Sequence, residues 1–171
     1  MRKIITLFLL LFTLSTISLN AQVGVALYLE KASICKQNNG KFSLNDFHKK
    51  PIIADADTIY STHFDCFVVS KAGQKGLYDA EGKCMLPITF NNISFDNSRY
   101  WLVNKDGKQG LYSYMGKEIL PPRYDSIEVT CNYRTNAGNY FIVKKGLYGL
   151  CNNEGKFIVD PQYTAIKYRY L

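Results

Sequence analysis

Three stretches of this 171-residue chain share one pattern of glycine, lysine, aromatic and isoleucine positions. The equivalent positions are Gly76, Gly110 and Gly149; Lys83, Lys117 and Lys156; Phe90, Tyr124 and Tyr163; and Ile93, Ile127 and Ile166. Each set has the same two spacings, 34 residues and then 39. A tandem repeat of this kind predicts a row of similar units, each of which buries its apolar face against a neighbour.

The ends of the repeat region depart from the pattern. The second spacing is longer because residues 130–139 form an insertion rich in Asn, which predicts an enlarged loop. A fainter copy of the pattern, at Phe42-Ser43-Leu44, precedes the three clear units, and terminal repeats are often atypical because one face meets water. We therefore predict a single domain over residues 22–171, with a degenerate N-terminal capping repeat at 22–62 and three clear repeats at 63–171.

Each unit reads as three short strands joined by tight turns. Runs of aromatic and β-branched residues such as Tyr100 to Val103 favour strands, and Asp106-Gly107 is a strong hairpin signal. A short apolar strand such as Glu118 to Leu120 is then predicted to end at proline, which has no N–H for the ladder. These features predict an all-β fold, with the units stacked as an open solenoid-like array. A small closed β-propeller is the alternative.

The repeat also predicts the environment of individual residues. Gly82, Gly116 and Gly155 precede Lys in a turn, so we expect positive φ there. The side chains at two sets of repeated positions are expected to be buried: Leu77, Leu111 and Leu150, and Ile93, Ile127 and Ile166. The side chains of Asn92 and Asp125 are interpreted as turn groups that bond their own backbone.

The last unit contains Tyr148-Gly149-Leu150, Asn153-Glu154-Gly155-Lys156 and Pro161-Gln162-Tyr163. With these residues it resembles the WG-containing repeat family. It extends from about Gly40 to the C-terminus, although the Trp of the family pattern is replaced in every unit, for example by Gln109. The resemblance implies a β-rich repeat domain and no particular activity.

Residues 1–21 have the features of a secretory signal peptide. Arg2-Lys3 is followed by an apolar run from Ile4 to Leu14, and Ser18-Leu19-Asn20-Ala21 is a suitable cleavage site. An uncleaved membrane anchor is the alternative, but the apolar stretch is shorter than the ~20 residues that a span requires. We expect an exported bacterial protein that is periplasmic, extracellular or associated with the outer surface, with no membrane span in the mature chain.

The chain is basic, with a formal charge of +7, of which Arg2 and Lys3 belong to the predicted signal peptide. Such a charge fits an anionic glycan, a membrane surface or nucleic acid, and export argues against nucleic acid. The lysines are scattered along the sequence, so we interpret them as solvated residues that keep hairpin edges from pairing with other chains. The densest basic cluster, residues 167–170, is interpreted as the last strand, with a binding role as the alternative.

The five cysteines do not form a recognisable motif. They are Cys35, Cys66, Cys84, Cys131 and Cys151, and no two are spaced as a Cys-x-x-Cys pair. Cys66 and Cys151 stand where equivalent units have Tyr, so both are predicted to fill the core. Cys131, in the enlarged loop, is the predicted exposed or cross-linking thiol. The odd number leaves any disulfide pairing open.

No constellation of residues points to catalysis, a cofactor or a metal. His63 and Asp65 could act as a base and its orienting partner, but a solvated strand end explains them equally well, and His48 falls in a turn. We therefore predict no enzyme, no cofactor and no identifiable site residues. The favoured function is a non-catalytic extracytoplasmic module that binds a protein or an envelope component, with residues 130–139 as the candidate loop. A purely structural envelope element and an enzyme are the alternatives.

Overall fold

The computed structural model describes residues 31–62, 65–96, 99–130 and 140–167, in which every regular element is a β-strand. The strands are β1 (Ser33–Lys36), β2 (Phe42–Asn45), β3 (Pro51–Ala56), β4 (Thr58–Ser61), β5 (Phe67–Lys71), β6 (Gln74–Tyr78), β7 (Cys84–Phe90), β8 (Asn92–Asp96), β9 (Tyr100–Lys105), β10 (Lys108–Ser113), β11 (Glu118–Tyr124), β12 (Ser126–Thr130), β13 (Tyr140–Lys145), β14 (Leu147–Cys151) and β15 (Phe157–Tyr163). They form four antiparallel sheets, β1–β3, β4–β7, β8–β11 and β12–β15, in which each strand pairs with the next. The predicted signal peptide lies outside the described residues.

A single residue joins each sheet to the next: Asp57, Asn91 and Asp125. The strand after each junction pairs with the following hairpin, so that Ile93 lies opposite Val103 and Ile127 opposite Val143. The prediction of three strands per unit omitted this strand, because the repeated isoleucine was assigned to the end of the preceding unit. Each repeat therefore contributes four strands, and its last strand is the first strand of the next sheet.

The first repeated glycine is required by a bulge in the neighbouring edge strand. The register of β7, β11 and β15 shifts opposite this glycine. A Cβ on Gly110 would lie 2.8 Å from the backbone nitrogen of Pro122, so no larger residue fits without displacing the strand. The prediction that proline ends this strand is wrong, since Pro121 and Pro122 lie inside β11. An edge strand tolerates proline because one of its sides has no ladder to donate to.

The second repeated glycine lies where consecutive sheets meet. The φ angles of Gly82, Gly116 and Gly155 are 85°, 80° and 81°, which confirms the predicted positive φ. A Cβ on Gly116 would also lie 3.0 Å from the carbonyl oxygen of Met85, in the preceding sheet. The turn therefore packs directly onto the last strand of the previous unit.

Three hydrophobic cores lie between consecutive sheets. The second sheet contributes Val69 to the core that it shares with the first sheet, and Val68 to the core that it shares with the third. The core between the third and fourth sheets contains Tyr124 and Phe141. Among the described residues no core joins the first sheet to the fourth, as a closed propeller would require. The structure confirms the predicted all-β array of stacked repeat units.

The predicted burial holds in the inner units and is wrong in the last one. Leu77 and Leu111 are fully buried, and Ile93 and Ile127 are also buried. Leu150 and Ile166, at the equivalent positions of the last unit, are only half-buried. The difference arises because no further sheet follows the fourth in the described part of the chain.

Candidate interaction surface

One long edge of the array is built from hairpin turns and sheet junctions. Each junction side chain accepts a hydrogen bond from a backbone N–H of the following hairpin turn. Asp57 Oδ2 accepts from Ala72 at 2.8 Å, Asn91 Oδ1 from Asp106 at 2.7 Å and Asp125 Oδ2 from Gly146 at 2.7 Å. The junction residue therefore fixes the next hairpin against the sheet that precedes it.

This arrangement corrects the interpretation of Asn92 and Asp125 as residues that bond their own local backbone. Asp125 bonds a turn 21 residues further along the chain. The residue equivalent to Asp125 is Asn91, while Asn92 Oδ1 accepts a hydrogen bond from Lys75 Nζ at 2.7 Å. Sequence alone did not show these partners because each belongs to a different sheet, Gly146 to the following one and Lys75 to the preceding one.

Two junction carboxylates are also paired with lysine. Lys108 Nζ lies 2.6 Å from Asp125 Oδ1, and Lys41 pairs with Asp57 in the same way. The pKa of Asp125 is lowered from its ordinary 3.8, first by the Gly146 N–H and then by Lys108. The pKa of Asp57 is lowered first by Lys41 and then by the Ala72 N–H. Both carboxylates are therefore held in the charged form.

This edge carries the positive charge of the described residues. Nine basic and four acidic side chains lie within two residues of its turns and junctions, a formal charge of +5. They are Lys36, Lys41, Lys71, Lys75, Lys105, Lys108, Arg123, Lys144 and Lys145, against Asp55, Asp57, Asp106 and Asp125. The other described residues hold eight basic and nine acidic side chains, a formal charge of −1. We call this row of turns and junctions the basic edge.

The lysines that appear scattered in the sequence are thus collected on one side of the fold. Antiparallel hairpins bring the end of one strand and the start of the next to the same edge, and the stacking aligns these edges. Stacked sheets lie ~10 Å apart, so the charges recur at about that interval along the array. Their sequence signal is the recurrence of Lys beside a hairpin turn, at Lys71, Lys105 and Lys145.

The residues considered for catalysis are not brought together. Asp65 pairs with Lys31 at 2.6 Å on the surface, and His63 lies outside the described residues. His48 lies in the β2–β3 turn, where its ring contacts that of Phe47 at a tilt of 40°, with the ring centroids 3.6 Å apart. The candidate loop 130–139 lies outside the described residues except for Thr130.

Two cysteines occupy the predicted core positions. Cys66 and Cys151 are both buried, which confirms their interpretation as core residues. Burial raises the pKa of Cys151 to about 11, so its thiol stays protonated at neutral pH. Burial also raises the pKa of Cys66, whose sulfur lies 3.9 Å from that of Met85. Cys35, Cys84 and Cys151 are free thiols, and Cys131 lies outside the described residues.

Comparison with known proteins identifies the class of repeat. A family model described as the WG containing repeat matches residues 110–146 and 148–169. The chain is therefore a β-repeat protein with WG-type repeats over these two stretches, as the sequence pattern predicted. No curated protein and no solved structure gives a significant match to the chain.

Two structural features are missing from the described residues. None of their elements is an apolar helix of the length needed to cross a bilayer. No three or more His, Cys, Asp or Glu side chains in these residues are grouped as metal ligands.

Proposed function

We propose that this protein is a non-catalytic interaction module that acts outside the cytoplasm and binds an extended anionic partner along the basic edge. The observation that supports this proposal is the segregation of charge: +5 on one edge and −1 on the remaining described residues. Lysines needed only for solubility have no reason to collect on one side. A row of cations at a regular interval suits a partner with repeated negative charge.

The edge is also preorganised. Its turns are fixed by the junction hydrogen bonds from Ala72, Asp106 and Gly146, so the cations project from a rigid scaffold. Two of the four acidic residues on this edge, Asp57 and Asp125, are already paired with lysine. Their negative charge is therefore partly neutralised within the protein. An envelope polymer with carboxylate or phosphate groups is the kind of partner that this surface fits.

The proposal is tested with two variants, each of which reverses the charge of three lysines on one edge only. One variant carries Lys71→Glu, Lys105→Glu and Lys145→Glu, on the basic edge. The matched control carries Lys83→Glu, Lys117→Glu and Lys156→Glu, in the turns of the opposite edge. Both variants undergo the same change in net charge, so any difference between them reports the position of the charge.

Binding is measured by titration with heparin as a model polyanion and with neutral dextran, at several salt concentrations. We expect heparin to bind with a salt-dependent affinity and the basic-edge variant to lose about tenfold or more, with a smaller loss in the control. Equal losses in the two variants would show that only net charge matters. Absence of heparin binding to the unaltered protein would also contradict the proposal.

A further inference from the structure

The core between the second and third sheets contains a thiol and a thioether in direct contact. The Sγ atom of Cys66 donates a hydrogen bond to the Sδ atom of Met85, and the two sulfurs are 3.9 Å apart. Cys66, directly before β5, is buried, and Met85, in β7, is half-buried at the margin of the same core. The hydrogen bond directs a lone pair of the thioether toward the thiol, so two potential metal ligands face each other.

The repeat shows that packing alone does not require these two sulfurs. In the other units the two equivalent side chains are aliphatic or aromatic: Ala32 and Ile52, Tyr100 and Ile119, and Tyr140 and Ile158. Among the described repeats, the second unit is therefore the one in which sulfur occupies both positions. Because the two sulfurs also contact each other, they form a possible metal site that a single cysteine would not.

Acidic side chains lie near Cys66. Burial raises the pKa of Cys66, and the negative charges of three carboxylates raise it further. In decreasing order of their effect, these are Asp79, Asp65 and Glu81. Asp65 is paired with Lys31, so its charge is partly offset. A negative potential that disfavours a thiolate favours a cation bound at the same sulfur.

We propose that Cys66 and Met85 bind a Cu(I) ion between their two sulfurs. Thiolates and thioethers are soft ligands, and soft ligands select Cu(I) over Mg²⁺, Ca²⁺ or Mn²⁺. On binding, the thiol proton passes to water, the Cys66 thiolate bonds the ion, and the Sδ atom of Met85 donates a lone pair to it. No atom is oxidised or reduced. The site lies beside the turns of the edge opposite the basic edge, and it does not depend on the proposed binding of an anionic partner.

Charge and distance both fit a monovalent ion. One Cu⁺ replaces one H⁺ on the thiol, so the buried site stays neutral, whereas Zn²⁺ would leave a net positive charge and lack its usual four ligands. With metal–thiolate bonds of ~2.3 Å, two sulfurs that share one ion lie at most ~4.6 Å apart. The separation of 3.9 Å is within this limit, and the flexible side chain of Met85 can adjust it.

The test removes each sulfur by introducing a residue that another unit has at the same position. The two variants are Cys66→Ala and Met85→Ile. The matched controls are Cys151→Ala, which removes a buried thiol from another core, and Met115→Ile, which removes an exposed thioether. If Cys66→Ala fails to fold, Met85→Ile still tests the site, because an aliphatic side chain of similar volume replaces the thioether.

The measurement is made in a background that lacks the other accessible thiols. All proteins carry Cys35→Ser and Cys84→Ser, because exposed thiols bind Cu(I) by themselves, and also Cys131→Ser. The affinity for Cu(I) is measured without oxygen, by competition with the chelator bicinchoninate. X-ray absorption at the copper edge identifies the ligand atoms, and circular dichroism checks that each variant is folded.

We expect the background protein to bind one Cu(I) ion per chain through sulfur. Cys66→Ala should abolish this binding, and Met85→Ile should weaken it about tenfold or more, since even the outer-shell partners of a metal contribute that much. Both controls should bind as the background protein does. Absence of binding, nitrogen or oxygen ligands, or an unchanged affinity in Met85→Ile would overturn the proposal, as would an equal loss in either control.

Discussion

The two repeated glycines of each unit serve different purposes. Gly110 and its equivalents give space to the bulged strand beside them, and their φ is not in the left-handed region. Gly116 and its equivalents have positive φ and contact the preceding sheet. Gly107 has positive φ with nothing within 4 Å of an added Cβ. Substitutions at these three glycines therefore distinguish the energetic cost of steric contact from the cost of backbone strain within one unit.

A matched set of substitutions at these glycines should give different losses of stability. Gly116→Val should lower the free energy of unfolding by about 1–3 kcal/mol, because it adds strain and a contact with Met85. Gly107→Val should cost less, because it adds strain alone. Gly110→Ala should cost about 2–3 kcal/mol through contact with the backbone of β11. Denaturant unfolding measures all three, and an unchanged stability for Gly116→Val would contradict the assignment of this turn.

At the scale of single residues, the sequence predicts conformation better than contact. The positive φ of Gly82, Gly116 and Gly155 follows from the residue type and from the Lys that comes next. The close approach of the Gly110 backbone to Pro122 does not follow from residue type, because it depends on a bulge in another strand. The burial of Cys66 and Cys151 was predictable only because the repeat supplied equivalent residues for comparison.

At the scale of elements, the junction residue connects one sheet to the next. Asp57, Asn91 and Asp125 each hold the turn of the following hairpin, and two of the three are ionised and paired with lysine. Asn91, which has no charge, makes the same hydrogen bond, so the hydrogen bond alone is enough to hold the hairpin turn at this position. The charge at Asp125 therefore makes the stability of the fold depend on pH and leaves the geometry of the junction unchanged.

Asp125→Asn should keep the hairpin in place and change the response to acid. The folded protein holds the pKa of Asp125 below 3.8, so this carboxylate stabilises the fold above about pH 3.8. That contribution is lost as the pH falls through the lower pKa of the folded state. Unfolding curves from pH 7 down to pH 2 should therefore show a shallower acid loss in Asp125→Asn. Asp125→Ala should destabilise at neutral pH as well, and equal acid losses in Asp125→Asn and the unaltered protein would contradict this role.

The strand assignments show why elements were predicted only in part. Turns and apolar runs place most strands correctly, because alternation and Gly-rich turns are local signals. Proline misled the prediction, since its effect depends on whether the strand is central or at an edge, and edge position is a property of the whole sheet. The strand after each junction was missed because its partner, the next hairpin, lies about ten residues further on.

At the scale of the molecule, the protein is a stack in which each sheet shares a core with its neighbours. The repeat predicts this stacking, and the three cores confirm it. The collection of lysines on one edge could not be predicted from their spacing alone, because it required the strand directions.

Hydrogen exchange resolved to single amides tests the open stack most directly. The amides of β6 and β10 should exchange most slowly because the second and third sheets are covered on both faces. The amides of β2 and β14 should exchange about tenfold faster or more, since the end sheets can open without the inner ones. Equal protection in all four sheets would contradict an open array and would indicate a ring that unfolds as one unit.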